Sequence, residues 1–295
     1  MSTTTPSAVK VAPLKLRIGY VDDPTTQPLT LGIEGVVKGG ALRRYANFGE
    51  LRAAFSGDEC ELALLPITDA FRLPNIVLAP CSSASIMGAS RMMMFFSKRM
   101  PTEVHRVLVD KEDYGATQLA QLLLPRKVSV RAEYVRSEVP LDPATYDLMQ
   151  DDGFDAYLLT GRNGFFVRKD AFSFALDLTQ AWYEYARLPF VMHVWVMKKG
   201  LKLNTLEKEL GDVARRNEAQ RGAASSATQT GASSSGVLGL QTVYAKAYVT
   251  VFDPTIIQAI RRYGQELVQN RVMPALPVTI YTAPSASAVM ARKPG

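Results

Sequence analysis

Cysteine and histidine are scarce in this chain of 295 residues: two of each, Cys60 and Cys81, His105 and His193. That excludes a disulfide framework, a zinc-ligand spacing and a Cys/His nucleophile pair read from sequence neighbours. Nucleotide signatures are absent too, with neither a GxxxxGK[ST] run nor a GxGxxG run. No stretch of about 18 apolar residues exists, so no membrane span is expected. The first segment, MSTTTPSAVKVAP, lacks the apolar core of a secretory signal and carries no acid before Asp22. It reads as a flexible tail over 1–13. The expected location is intracellular and cytoplasmic, with an organellar one left open by that acid-free start. A single-sign charge stripe is missing as well. The net charge is +6, but doublets such as Arg43-Arg44, Arg215-Arg216 and Arg261-Arg262 sit among acids. Nucleic-acid binders gather their charge and interleave it with aromatics, so none is expected as a partner. No metal or cofactor is expected either.

What is present is ordinary for a globular protein, 47% hydrophobic and 21% charged. Short apolar runs alternate with helical patterns, the α/β signature. Residues 16–21, 61–66, 90–98, 105–110, 127–135, 154–161 and 189–200 read as strands. The last is apolar enough to be buried on both sides. NFGELRAAFSG (47–57) reads as a helix, with Asn47 and Glu50 spaced as a capping box and Gly57 closing it. Asp113 is placed to cap a helix bearing Leu119, Leu122 and Leu123. Two more helices are expected over 204–219 and 253–270, the second with Asp253 as cap and Pro254 in its first position. Between them QRGAASSATQTGASSSG (220–236) is nearly all small and polar, and reads as a disordered insertion.

The first strand runs into GYVDDPTTQPLT (19–30), where two acids, a proline and two threonines form a strand-end loop. Such a loop offers hydroxyls and backbone N–H groups to a ligand. Asp22 and Asp23 are its only candidate bases.

The order of segments resembles the chorismate dehydratase family of the futalosine route to menaquinone. RIGYVDDPTTQPLTLGIE, GDECELALLPITDAFRLPNIVLAPC, SRMMMFFSK, DAYLLTG and DLTQAWYEYARLPFVMHVWVMKKG carry the likeness, which runs from about residue 14 to 282. Its most specific piece is Trp182, then Leu188-Pro189-Phe190, then Val194-Trp195. The resemblance implies an α/β, two-lobed type II periplasmic-binding-protein-like fold. Two crossover strands are implied, around 92–98 and 189–197. Lobe 1 would comprise 14–96 and 191–295, and lobe 2 would comprise 97–190. It implies a small carboxylate ligand of the chorismate type in the interlobe cleft, and a carbon–oxygen lyase reaction giving 3-[(1-carboxyvinyl)oxy]benzoate. The implied binding positions are Thr25, Thr26, Ser82, Ser83, Ser85, Ser90, Arg91, Gly115, Ala116, Gly161 and Arg162. Asp22, Asp23 and Thr25 are the catalytic candidates.

The departures fall on those same loops. Thr25 stands where the family has asparagine, Met92 where it has a cleft serine, and Arg162 where an aspartate follows glycine. Glu112-Asp113-Tyr114-Gly115-Ala116 replace Ser-Ser-Arg-Thr-Ser. Two like charges 4 Å apart at an effective dielectric near 20 cost about 4 kcal/mol, so an acidic pair would repel a carboxylate there. Two classes therefore stand side by side. One is a lyase with a rewritten cleft. The other is a member that kept the scaffold and serves as a ligand-binding or protein-interaction subunit. Met92, Met93 and Met94, Trp182, Trp195 and His193 read as core, with plain packing roles.

Overall fold

A computed structural model describes residues 16–111, 113, 115–142, 146–150, 153–203, 205–227 and 247–274. Its strands form two sheets. The first contains β1 (Leu16–Val21), β2 (Gly40–Tyr45), β3 (Leu62–Pro66), β4 (Ile76–Ile86), β10 (Phe190–Lys198) and β11 (Tyr248–Val249), in the order β11-β4-β10-β3-β1-β2. The second contains β5 (Met93–Ser97), β6 (Arg106–Val109), β7 (Glu133–Arg136), β8 (Ala156–Thr160) and β9 (Phe174–Asp177), in the order β7-β6-β8-β5-β9.

Both sheets follow one plan. β1 pairs in parallel with β2 and β3, and β6 with β7 and β8. A strand reached from the other sheet then joins antiparallel: β10 against β3, and β5 against β8. Parallel strands need helical crossovers. These are α1 (Gln27–Thr30), α2 (Ile33–Val36), α3 (Phe48–Ser56) and α5 (Ala116–Lys127), while the short α4 (Ile67–Ala70) follows β3. Helices α6 (Gly161–Phe166), α7 (Leu178–Ala186), α8 (Thr205–Ala227) and α9 (Pro254–Gln269) complete the described α-helices, beside short 3-10 turns at Pro101–Glu103 and Lys169–Ala171.

Several local readings meet their physical cause in the structure. Asn47 Oδ1 accepts the Glu50 amide at 2.9 Å, and Asp253 Oδ1 accepts that of Ile256 at 2.9 Å. Each supplies an acceptor to a helix-start N–H that has no partner in the helix. β10 is buried along all but its last residue, because β3 and β4 flank it and helices cover it.

Other readings change. The strands expected to cross between lobes each lie within one sheet, and the chain passes between sheets in the short segments 87–92 and 187–189. The strand expected over 127–135 is only Glu133–Arg136, because α5 continues through Pro125 to Lys127. Residues 220–227, expected to be disordered, extend α8, which their alanines favour. The rest of that tract (228–236) and the tail 1–13 lie outside the described residues.

One large core joins both sheets. It includes Ile18, Leu64 and Trp195 from the first and Phe95, Val107 and Leu158 from the second. At the second crossing Trp182, Phe190 and Tyr263 pack edge to face, with centroids 5.2–6.5 Å apart. The Trp182 indole N–H donates to Pro189 O at 3.1 Å, which fixes the turn into β10. This is the part of the chain where the most specific resemblance lies.

Candidate functional site

The loop after β1 is built on its own polar groups. Asp23 Oδ1 accepts the backbone N–H of Thr25 at 2.8 Å and also its hydroxyl. The Thr26 hydroxyl donates to Val21 O at 2.6 Å. The backbone carbonyl of Asp23 accepts the amides of Thr26 and Gln27 at 2.9 and 3.0 Å. Asp–Thr spacing of this kind makes an Asx-type turn, and it leaves Thr25 and Thr26 buried. Asp22 is turned outward, 3.3 Å from Arg44.

Ser82, Ser83 and Ser85 lie inside β4. Ser82 Oγ accepts the Trp195 indole N–H at 3.2 Å, and Ser83 Oγ donates to Val251 O at 2.8 Å and lies 3.0 Å from Ser85 Oγ. All three are buried strand residues that tie β4 to its neighbours.

Ser90 and Arg91 sit on the first crossing, gathered by Asp177 at the start of α7. Asp177 Oδ2 accepts the amides of Ser90 and Arg91 at 2.9 and 2.7 Å, while Oδ1 accepts those of Thr179 and Gln180 at 3.0 and 3.3 Å. The Thr179 hydroxyl donates to Gly88 O and lies 2.9 Å from Ser90 Oγ. One carboxylate thus caps α7 and clamps the crossing. The Arg91 guanidinium donates to Val167 O at 2.7 Å and lies over the Phe165 ring at 5.2 Å, so it serves the end of α6. Gly161 begins α6 and donates its amide to Met92 O at 2.8 Å. The side chain of Arg162 lies outside the described set.

Gly115 is the N-cap of α5 and Ala116 its first residue, and Gly115 lies against Thr68 of the first layer. Gly115 has φ of +89°, and a Cβ there would come within 2.8 Å of Thr68 Cγ2. The two layers therefore meet at this glycine. Beside the contact is an open cleft of about 170 Å³. Arg52, Thr68, Asp69 and Arg72 line it from the first side, with Phe48 and Gly49 at the start of α3. Asp113, Gly115, Gln118 and Arg136 line it from the second. Asp69 takes Arg52 at 2.8 Å and Arg72 at 3.6 Å, and Asp113 takes Arg136 at 2.7 Å. Asp113 also accepts the Thr117 amide at 2.7 Å, the capping bond expected of it. Burial pushes the Asp113 carboxyl above the usual carboxylate range, against the pull of that amide and of Arg136. Three guanidiniums against two carboxylates leave the cleft cationic. Gln118 contributes a buried Oε1 with no hydrogen-bond partner among the described residues.

Of the binding and catalytic candidates named from the sequence, Gly115 alone lines this cleft, joined by Asp113, which the sequence marked as a helix cap. Thr68 and Asp69 carried a signal, since PITDA directly follows a strand and strand ends face α/β clefts. Arg52 carried none: it lies on the solvent side of a helix recognised by its buried Leu51, Ala54 and Phe55. Behind the cleft, His193 stacks on Phe48 at 5.0 Å, and burial pushes its imidazole down to about 3. Among the described residues no helix is long and apolar enough to cross a membrane.

A family model described as menaquinone biosynthesis matches residues 16–267. No curated protein matches the sequence. Protein AF1704 from Archaeoglobus fulgidus superposes with a TM-score of 0.61 at 16% identity, covering 88% of this chain and 98% of that one. An ABC transporter protein from Parabacteroides distasonis gives 0.61 at 14%, covering 92% and 99%. The alkanesulfonate-binding protein SsuA from Xanthomonas axonopodis pv. citri, bound to MOPS, gives 0.54 at 11%, covering 92% and 100%. These likenesses identify the fold as that of the two-lobed type II periplasmic binding proteins.

Proposed function

The chain belongs to the menaquinone biosynthesis family, and from that membership we propose that it binds a small carboxylate of the chorismate type in the cleft between its two sheets. The cleft itself carries this reading. It sets arginines from both sides around an open hollow of about 170 Å³, whose open side leaves room for the rest of a ligand to reach outward. Guanidiniums form bidentate bonds to carboxylates, so Arg52, Arg72 and Arg136 suit a ring acid in which charge and ring are adjacent. A ligand carboxylate would compete with Asp69 and Asp113 for them, which limits affinity and makes it depend on those acids.

This member is a binding protein that does not turn chorismate over. Asp22 is paired with Arg44, and Asp23 and Thr25 bond to each other within their loop. A general base must come within hydrogen-bond reach of the proton it removes; none of the three lines the cleft, and the carboxylates that do, Asp69 and Asp113, are held by Arg52, Arg72 and Arg136.

Calorimetric titration with chorismate, followed by chromatography of a single-turnover mixture, tests both parts. Saturable 1:1 binding is expected, weakened at least tenfold by Arg52→Gln or Arg136→Gln. Asp113→Asn is expected to tighten it by about tenfold, or 1.4 kcal/mol, by removing a like charge. Absence of binding to folded protein would overturn the ligand. Enolpyruvyl-benzoate above a protein-free control would overturn the binding-only role.

A further inference from the structure

A second concavity lies at the other crossing, away from the cleft. It is a groove of about 600 Å³ between the end of α7 and the exposed face of α9, lined by Ala186, Arg187, Leu188, Gln258, Arg261, Arg262 and Gln265. The α9 residues fall at spacings of three and four, so Gln258, Arg261, Arg262 and Gln265 share one stripe of the helix. Arg187 meets them from the C-terminal cap of α7. It is held there in a left-handed conformation, φ +56°, with its amide donating to Tyr183 O.

No carboxylate is among the lining residues. The acids on the neighbouring elements are already engaged. Glu184 on α7 pairs with Lys127 and accepts Gln180 Nε2 at 2.9 Å. Glu266 on α9 is buried and takes Arg262 at 2.7 Å and Arg126 at 3.1 Å. Arg262 is thereby anchored, with its guanidinium 5.9 Å from the Tyr185 ring centroid. Arg187 and Arg261 form no ion pair among the described residues. Arg187 lies in the field of Glu184. Two guanidiniums with no direct ion-pair partner among the described residues thus converge with one anchored guanidinium and two amides on a hollow whose volume is in the usual range for small ligands, about 300–1,000 Å³. The hydrogen-bond donors there are forked and planar, suited to oxyanions with several oxygens.

We propose that this groove is an anion site, separate from the interlobe cleft, that takes a small molecule bearing two or more phosphate or carboxylate groups. Arg187 and Leu188 in its lining belong to the second passage between the sheets, so an occupant would bridge α7 and α9 beside that passage.

The test is calorimetric titration of the full chain at low salt with pyrophosphate and, separately, with citrate. Saturable 1:1 binding of at least one probe is expected, and which one binds assigns phosphate or carboxylate as the preferred group. The Arg187→Gln/Arg261→Gln double variant should weaken it at least tenfold, while Arg52→Gln in the cleft leaves it unchanged. Arg261→Gln alone, on an exposed helix face, should weaken it at least threefold and serves if the double variant does not fold. Failure of both probes to bind overturns the site. So does binding that is lost in Arg52→Gln and kept in the groove variants, which would move the anion to the cleft.

Discussion

His193 shows at the scale of one residue how burial becomes a pH dependence. Its imidazole lies inside β10, stacked on Phe48, and titrates near 3 in the folded protein, against about 6.5 in an unfolded chain. Between those values the unfolded chain holds the proton and the folded one does not, so stability rises with pH. The contribution is complete above about pH 6.5 and is lost as the pH falls toward 3, on the order of 4 kcal/mol across that span. Urea unfolding of the protein and of His193→Phe, compared from pH 7 to pH 4, should show a shallower decline in the variant. Carboxylates titrate in both proteins and cancel in the difference. Identical slopes would mean that the imidazole is not held neutral. Asp177 makes the complementary point, since a single buried carboxylate serves four backbone amides on two elements.

At the scale of elements, α5 owes its approach to the first layer to one glycine. Gly115 holds a φ of +89°, and a methyl group there would sit 2.8 Å from Thr68 Cγ2. Gly115→Ala therefore combines backbone strain with a clash, and should cost about 1–3 kcal/mol in chemical denaturation. Adding Thr68→Ser removes the clashing methyl and leaves the strain, so it should recover part of that loss. Full recovery would place the whole effect in the clash, and no loss at all would mean that the layers do not meet there. The helix caps were visible beforehand because capping is a short-range matter of residue type and spacing: Asn47 with Glu50, and Asp253 before Pro254. β4 was not, because Pro80 in its middle reads as a strand breaker. The structure accommodates it in a bulge, where the register on β10 jumps from Val194↔Ser83 to Val196↔Leu78.

For the whole molecule, two sheets joined by two short passages would suggest two units that melt apart. The core argues otherwise, since residues of both sheets belong to one buried cluster. A smaller cluster around Met94, Phe96, Tyr157 and Leu159 covers the far side of the second sheet. Scanning calorimetry should accordingly give one transition, with the calorimetric and van't Hoff enthalpies in agreement. Two resolved transitions would show that the shared core does not couple the layers.

The alternation of apolar runs with capped amphipathic helices, a property of residues near one another in the chain, was enough to read an α/β chain. The two-lobed form was implied by the family resemblance, of which Trp182 to Trp195 is the most specific piece. The buried roles of Met92, Trp182, Trp195 and His193 followed from the same local pattern. The cleft did not. Arg52, Asp69 with Arg72, Asp113 and Arg136 come from four separate stretches, and each reads alone as a solvated charge or a cap. Conversely, Thr25, Ser82, Ser83 and Ser90 look available in a linear sequence. Only the folded chain supplies the partners that occupy them: Asp23, Trp195, Val251 and Thr179. Local propensity fixes which elements form, because its causes act over a few residues. Which polar groups face a cleft and which are consumed by the fold depends on contacts between distant segments, and the tertiary structure alone decides it.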